Sequence, residues 1–230
     1  MATIARSARP DTAHVATHAA APGGPLIDLS DAVLGAPAVS STEERIAEAL
    51  LVCLGRWGLA KTTMDDVARE ARISRATVYR LFPGGKAAIM RAAVTAEVLH
   101  LVGLLRTELA DCEDLEQSMV RAIHLAASFL SAHEALNFLR EHDPVAFERL
   151  LAFDQLELVF ATAEPLLAPA LAPHCVDDEH ARTAAVWAAR LVVSHVANPS
   201  PSFDLTDEHD VRRLVHTFVM PGLRPDGQPD

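Results

Sequence analysis

The sequence predicts an all-α protein. From residue 41 onward, apolar residues recur at intervals of three and four, which is the spacing of the buried face of a helix. No stretch of useful length alternates between apolar and polar residues as a half-buried strand does. Capping residues and Pro, Gly or Asn breaks divide the pattern into separate helices. We therefore expect an N-terminal three-helix domain that contains a helix-turn-helix, followed by a C-terminal helical domain.

The first 39 residues lack this pattern. They are rich in Ala, Pro, Gly and Ser, and such a segment buries too little apolar surface to offset its chain entropy. We predict a disordered N-terminal arm over residues 1–39.

A first helix of about four turns is expected to follow the arm. Ser41 and Glu44 have the spacing of a capping box, in which each side chain accepts a hydrogen bond from the backbone of the other. Gly58 is predicted to end the helix. The apolar positions at helical spacing are Ile46, Leu50, Leu54 and Trp57.

Two short helices are predicted next. Thr63 and Ser74 are suitable N-cap residues, and Pro83-Gly84-Gly85 stops the second helix. The second helix starts only three or four residues after the first ends, which is the geometry of a helix-turn-helix. The positions expected to be buried are Val67, Ala68, Ala71, Val78 and Phe82.

Helical periodicity continues nearly to the C-terminus. We predict a long connecting helix from about Lys86 to Thr107 and four to six helices behind it. Breaks are expected at residues 111–114, 143–144, 165–178 and 198–201, where Asp, Pro and Asn interrupt the pattern. The predicted domains cover residues 40–100 and 101–230.

Charge is unevenly distributed along the chain. The formal net charge is -11, yet residues 41–92 hold nine Lys and Arg against six Asp and Glu. Between Arg69 and Arg91 there are six basic residues and one acidic residue. The acidity belongs to the C-terminal part, and the basic segment carries the charge that a phosphate backbone attracts.

Several classes of protein are disfavoured. The N-terminus lacks the continuous apolar segment of a signal peptide, and the longest apolar candidate for a membrane span, residues 184–197, is short and contains Arg190. We expect a soluble, cytoplasmic protein with no membrane partner. The three cysteines lie far apart, and no phosphate loop, dinucleotide fingerprint or Gly-x-Ser-x-Gly elbow is present. We therefore expect neither an enzyme nor a cofactor.

A metal-responsive protein is one alternative. Its candidate ligands cluster around one predicted helix, but they lack His-Glu-x-x-His or tight Cys/His spacing, so no metal is expected. These residues are His133, Glu134, Glu141 and His142.

Residues 63–86 resemble the DNA-binding helices of the TetR family. The segment reads TMDDVAREARISRATVYRLFPGGK. Small residues at Ala68 and Ala71 let two helices approach, and Ser74 starts the recognition helix. The most specific part is the pair Tyr79 and Phe82, followed by a Pro/Gly turn and a lysine. The resemblance extends over about residues 41–93.

The resemblance implies DNA-contacting residues. A recognition helix in the major groove reads base edges with its N-terminal residues, and Arg can bind guanine O6 and N7 together, whereas Thr and Ala methyls can pack on thymine. The residues toward the groove would be Ser74, Arg75, Ala76, Thr77 and Arg80. The residues on phosphates would be Thr63, Tyr79 and Lys86.

Two features depart from the family pattern. Arg72 stands where the family most often has glycine in the turn, at a position that favours positive φ; its side chain could instead contact phosphate. The turn before Lys86 has one extra residue, because Gly84 and Gly85 are both present, and Ala87 replaces the usual acidic residue.

The C-terminal part is expected to form a homodimer. Residues 184–197 are apolar almost all round, so a helix there must be covered on two sides, one of which a second copy can cover. In the TetR family the last two helices pair with those of a second subunit. The expected interface residues are Trp187, Leu191, His195, Leu214 and Phe218.

The same helical domain is expected to bind a small-molecule effector. By family resemblance, its helices would enclose a cavity, and an apolar lining favours a hydrophobic ligand. The candidate ligand-binding residues are His124, Phe129, Phe138, Phe147, Phe153 and Phe160.

The sequence thus predicts a DNA-binding transcriptional regulator, a ligand-responsive repressor that binds a palindromic operator as a homodimer. Its expected partners are double-stranded operator DNA, an unidentified effector and a second copy of the chain. The alternatives are a helical small-molecule or protein-interaction module without DNA binding and a metal-responsive regulator.

Overall fold

The computed structural model describes residues 40–150 and 153–223, and the described chain is helical without strands, as predicted. The predicted arm at residues 1–39 and the last seven residues lie outside the described part. The N-terminal helices are α1 (Ser41–Lys61), α2 (Met64–Glu70), α3 (Arg75–Leu81) and α4 (Gly85–Leu109). The following helices are α5 (Leu115–Ser131), α6 (Glu134–His142), α7 (Pro144–Leu150), α8 (Phe153–Leu171), α9 (Asp178–Ala197), α10 (Glu208–Leu214) and α11 (Met220–Leu223).

Helix α1 begins one residue earlier than predicted. The N-cap is Ser40, whose Oγ accepts from the amide of Glu43 at 3.3 Å, and Glu43 Oε2 accepts from the amide of Ser40 at 3.0 Å. The predicted capping box of Ser41 and Glu44 is therefore wrong. In both pairs, Ser40 with Glu43 and Ser41 with Glu44, the glutamate follows the serine by three positions, so the capping-box pattern alone does not distinguish them.

The end of α1 is interrupted at Gly58. Its φ of 77° and ψ of 168° lie outside helical values, and one further turn leads to Lys61. The prediction that the regular helix ends here is confirmed. Trp57, by contrast, is 41% exposed, so its predicted place on the buried face is wrong. Leu54, about one turn earlier, is the last large apolar side chain of α1 that is buried.

The three N-terminal helices and the start of α4 share one apolar core. Its members include Ile46, Leu50, Leu54, Val67, Val78, Phe82 and Ile89. Ala135 of α6 is buried in the same cluster. A residue from the second half of the chain is therefore part of the core that the N-terminal helices form.

Helix α4 is the longest apolar helix of the described chain. It includes an 18-residue window with a mean hydropathy of 1.6, and by length and composition alone it could cross a membrane. The prediction that residues 184–197 are the longest apolar candidate is therefore wrong. Helix α4 packs against α1, α5 and α8, and 22% of the window is buried in the protomer. It also runs through residue 100, where the domain boundary was predicted.

The C-terminal helices enclose a second core. Its fully buried side chains include Met119, Ile123, Leu171, Leu205 and Val211. Helix α9 contributes a row of alanines, Ala181, Ala184, Ala185 and Ala188, which allows close packing against α8. After α10 the chain continues through a π-helical turn, Val215–Val219, into α11.

The predicted break at residues 165–178 starts too early. Helix α8 continues through Pro165 and Pro169 to Leu171. Both prolines are exposed, whereas Leu167, Ala168 and Leu171 are buried. Proline removes a backbone hydrogen bond and disfavours a helix interior, but burial of the opposite face holds this helix in place.

Candidate nucleic-acid interface

Helix α3 separates its residues into a buried and an exposed face. Val78 and the capping residue Phe82 are buried in the N-terminal core. Arg75, Ala76, Tyr79 and Arg80 are exposed. These four residues form an outer face that can meet another molecule without disturbing the core. Tyr79, with 43% of its surface exposed, is not a core residue.

Ser74 fixes the start of this helix. Its Oγ accepts from the amide of Thr77 at 3.2 Å and lies 2.8 Å from the hydroxyl of Thr77. The predicted N-cap is confirmed. Because the hydroxyl of Thr77 is hydrogen-bonded to Ser74, the methyl of Thr77 is the group suited to a base contact.

Arg75 is held by two neighbours. Its Nη1 donates to Asp65 Oδ2 of α2 at 2.9 Å, and its guanidinium lies 5.4 Å from the centre of the Tyr79 ring. Both contacts are exposed, where such an ion pair contributes little to stability. Their effect is to restrict where the guanidinium can point.

The turn between α2 and α3 has left-handed backbone at Arg72. Its φ is 56°, so the expectation of a glycine-like conformation is confirmed; for arginine this costs about 1 kcal/mol. Arg45 of α1 donates from Nη2 to the carbonyl of Ala71 at 2.7 Å, and the amide of Ile73 donates to the carbonyl of Ala68 at 3.0 Å. These bonds hold the turn, while the Arg72 side chain remains exposed.

Thr63 caps α2 as predicted. Its Oγ1 accepts from the amide of Asp66 at 3.2 Å and lies 2.6 Å from Asp66 Oδ2, to which it donates. The amide of Thr63 also donates to Asp66 Oδ2, at 3.0 Å. The hydrogen bonds that the Asp66 carboxylate accepts, first from the Thr63 hydroxyl and then from the Thr63 amide, lower the pKa of Asp66. Thr63 itself is exposed beside the turn.

Lys86 has two backbone partners within the protein, which its sequence position does not predict. Its Nζ donates to the carbonyls of Leu59 at 2.6 Å and Thr62 at 2.9 Å. The ammonium therefore binds the carbonyl end of α1, where a cation is favourable, and joins that end to the start of α4. An ammonium has three donors, so one is left for a phosphate, and that contact stays a prediction.

The candidate ligand-binding residues lie at separate places. His124 Nε2 is 3.1 Å from the carbonyl of Thr206, Phe129 meets His100 edge-on, and Arg190 lies over Phe160. Phe138 packs on α1 at Gly58. Phe147 is buried beside a cavity of about 30 Å³. The side chain of Phe153 lies outside the described part.

The candidate dimer residues divide into two groups. Trp187 is 52% exposed and Phe218 is 65% exposed. Leu191 and Leu214 are half-buried and pack against the protomer's own core. His195 is also half-buried and lines the cavity beside Phe147. In the isolated protomer, Trp187 and Phe218 are thus the ones that leave a large apolar surface open.

The candidate metal ligands have other contacts. His133 caps α6, with Nδ1 accepting from the amide of Leu136, and its Nε2 lies 3.8 Å from Glu97. His142 stacks on Phe138 with 4.4 Å between ring centres. A different group, Asp207, His209 and Asp210, has its possible ligand atoms within 4.8 Å of one another. Both carboxylates of this group have partners within the protein: Asp207 caps α10, and Asp210 forms an ion pair with Arg213.

Comparison with known proteins points to one family. The profile described as "Bacterial regulatory proteins, tetR family" matches residues 46–93. An uncharacterised HTH-type transcriptional regulator of Mycobacterium bovis is 31% identical over 87 residues, which are 38% of this chain and 44% of that protein. This chain thus spans less than half the length of the curated relative.

Solved structures share the fold. The TetR family repressor AlkX from Dietzia sp. strain DQ12-45-1b, implicated in biodegradation of n-alkanes, has a TM-score of 0.60 at 20% identity, with 82% of this chain and 100% of that one covered. The fatty acid degradation regulator FadR from Bacillus halodurans has a TM-score of 0.52 at 14% identity, with 78% and 96% covered.

Proposed function

We propose, from the premise that this chain carries a DNA-binding domain of the TetR family at residues 46–93, that it is a transcriptional repressor. It would bind a palindromic operator as a homodimer and respond to a small-molecule effector. Such a protein acts on the chromosome, so we expect it in the cytoplasm, and we expect no enzymatic activity.

The observation that carries the proposal is the outer face of α3. Arg75, Ala76, Tyr79 and Arg80 are exposed together, while Val78 and Phe82 anchor the helix from behind. Two guanidinium groups one turn apart suit guanine edges or phosphates. Thr63 and Arg72, exposed at the ends of α2, flank this face with groups that can bind phosphate.

A dimer is supported by the exposed aromatic residues of the last helices. Trp187 on α9 and Phe218 near the C-terminus are among the most exposed large apolar side chains, and burying them would remove apolar surface from water. A two-fold contact would bury both copies at once. Two recognition helices one turn of DNA apart would then read two half-sites.

Effector response would follow from linkage. A ligand lowers operator affinity only if it binds better to the conformation that DNA disfavours. The proposed effector therefore prefers a spacing of the two recognition helices that no longer fits the operator.

The test is selection of binding sites from random DNA fragments by the purified full chain. We expect a palindrome with half-sites about one helical turn apart and an affinity that falls steeply with salt. A helical interaction protein without DNA binding would enrich no sequence. Enrichment of a single, non-repeated site would contradict the two-fold operator while leaving DNA binding in place.

A further inference from the structure

An exposed ion pair links helices α2 and α3. Asp65 lies in the first turn of α2, and Arg75 is the first residue of α3. Arg75 Nη1 donates to Asp65 Oδ2 at 2.9 Å, and the two side chains are 64% and 48% exposed. A pair exposed to this degree contributes little to the stability of the fold. The contact can therefore be removed without unfolding the protein.

The other carboxylates of α2 have partners elsewhere. Asp66 accepts hydrogen bonds from Thr63 in the cap of the helix. Glu70 forms an ion pair with Arg56 of α1, with 3.0 Å between Arg56 Nη1 and Glu70 Oε2. Of the three carboxylates on this helix, that of Asp65 is the one that contacts α3.

The ion pair lies on backbone that the core holds in place. Helix α2 is anchored by buried Val67, and α3 is anchored by buried Val78. The guanidinium of Arg75 also lies 5.4 Å from the centre of the Tyr79 ring. Because Asp65 binds this guanidinium and Tyr79 lies against it, Arg75 has fewer conformations available than a solvated arginine.

Arg75 keeps donors for another molecule. A guanidinium has five N–H groups, and the ion pair with Asp65 is made by Nη1. Within residues 40–150 and 153–223, Nε and Nη2 of Arg75 have no hydrogen-bond partner. Two N–H groups of one arginine can bind O6 and N7 of the same guanine. A carboxylate of α2 thus orients a group of α3 that can read guanine.

Arg80 differs from Arg75 in this respect. It is also exposed on the outer face of α3, but it forms no ion pair with any residue that the structure describes. An arginine without such a partner can turn to a phosphate when its preferred base is replaced. Discrimination between bases is a difference of affinities, so this freedom lowers it.

We infer that Asp65 is a specificity-determining residue, which positions Arg75 to read one guanine of the operator and keeps its guanidinium from turning to a phosphate. The inference rests on the proposed function and adds to it a base and a positioning residue. An adenine in place of that guanine presents its N6 donor to the donors of Arg75. Donors that are desolvated and left unpaired cost free energy, so an oriented Arg75 disfavours adenine.

The experiment measures base preference with the full chain. Selection from random DNA by the wild type and by Arg75→Ala identifies the base pair at which the change removes a preference for guanine. Gel shifts then compare operators with guanine and with adenine at that position. We expect the wild type to prefer guanine at least about tenfold. Asp65→Asn should reduce this preference at least about threefold and leave the circular dichroism spectrum unchanged.

Two controls isolate the contact between Asp65 and Arg75. Glu70→Gln removes a carboxylate and an exposed ion pair from the same helix, and it should leave the guanine preference unchanged. In an Arg75→Ala background, Asp65→Asn should have no further effect on base preference, because a positioning residue acts only through the group that it positions. An equal loss in Glu70→Gln would mean that charge alone sets the preference, and would overturn the inference.

Three further results would overturn it. In the first, Arg75→Ala removes no guanine preference, and in the second, Asp65→Asn leaves that preference unchanged. In the third, the effect of Asp65→Asn persists in the Arg75→Ala background, which would mean that Asp65 itself contacts a base, as a carboxylate does at N4 of cytosine. A wild type that enriches no sequence would instead contradict the proposed function, so the two failures are distinguishable.

Discussion

The ring of Phe138 lies directly against the α carbon of Gly58, so that a β carbon there would come within 2.8 Å of Cε1. Gly58 also has a φ of 77° and a ψ of 168°, a region that is essentially restricted to glycine. Steric space and backbone conformation thus both require glycine at the position where the C-terminal part of the chain packs on the N-terminal helices.

We expect Gly58→Ala to lower the free energy of unfolding by about 2 kcal/mol or more, since backbone strain and overlap with Phe138 add. Chemical denaturation measures the change. The matched control is Gly103→Ala, because a β carbon at Gly103 meets nothing within 4 Å and alanine is favoured inside a helix by roughly 0.5–1 kcal/mol. A Gly58→Ala protein as stable as the wild type would contradict the contact.

Arg75 and Arg80 give the prediction for DNA binding. Each change to alanine should cost about 1–3 kcal/mol of specific operator binding and leave the fold intact, because both side chains are exposed. Gel shifts on the selected operator measure the affinity, and circular dichroism checks the helices. Arg106→Ala, an exposed arginine far along α4, serves as control; wild-type affinity in both variants would exclude α3 as the reading helix.

The capping box of Thr63 and Asp66 predicts a pH dependence. Hydrogen bonds from Thr63 lower the pKa of Asp66 in the folded protein, below an unfolded value of about 3.9. The stabilisation is therefore fully present above about pH 4 and is lost as the pH falls through the folded pKa.

Asp66→Asn should accordingly have a lower Tm than the wild type at pH 6, and the difference should shrink as the pH is lowered from 4 to 3. Thermal denaturation across this range measures it. Asp111→Asn, which changes an exposed carboxylate between α4 and α5, is the control. A Tm difference that stays constant down to pH 3 would argue against the capping box.

Trp187 offers the clearest test of the dimer. Because half of its surface is exposed in the protomer, Trp187→Glu should leave the protomer folded, whereas in a dimer it would bury an unpaired carboxylate. We expect a monomer by sedimentation and a strong loss of operator affinity.

Leu191→Glu is a less selective variant, since Leu191 packs against the protomer's own core and the change would also destabilise the protomer. Val176→Glu, at a residue 66% exposed in the loop before α9, is the matched control. If Trp187→Glu sediments as the wild type does, the interface lies elsewhere.

Local chemistry determined much of this protein. Thr63 and Ser74 were identifiable as caps because an N-cap side chain bonds to residues two or three positions along the same chain. The positive φ at Arg72 and the burial of Val78 and Phe82 likewise depend on the turn and helix period of one short segment. The face of α3 that carries Arg75 and Arg80 could therefore be predicted without the tertiary structure.

Tertiary structure decided the contacts between distant segments. Lys86 binds carbonyls 24 and 27 residues earlier, and Phe138 meets Gly58 across 80 positions of the chain; no local periodicity encodes either pairing. Proline disfavours a helix interior, yet α8 stays helical through Pro165 and Pro169 because the opposite face of the helix is buried. The helices and the exposed residues of α3 follow from local sequence, because their causes lie within a few residues. Which helix lies against the N-terminal helices depends on the tertiary structure, because faces from distant parts of the chain must fit together.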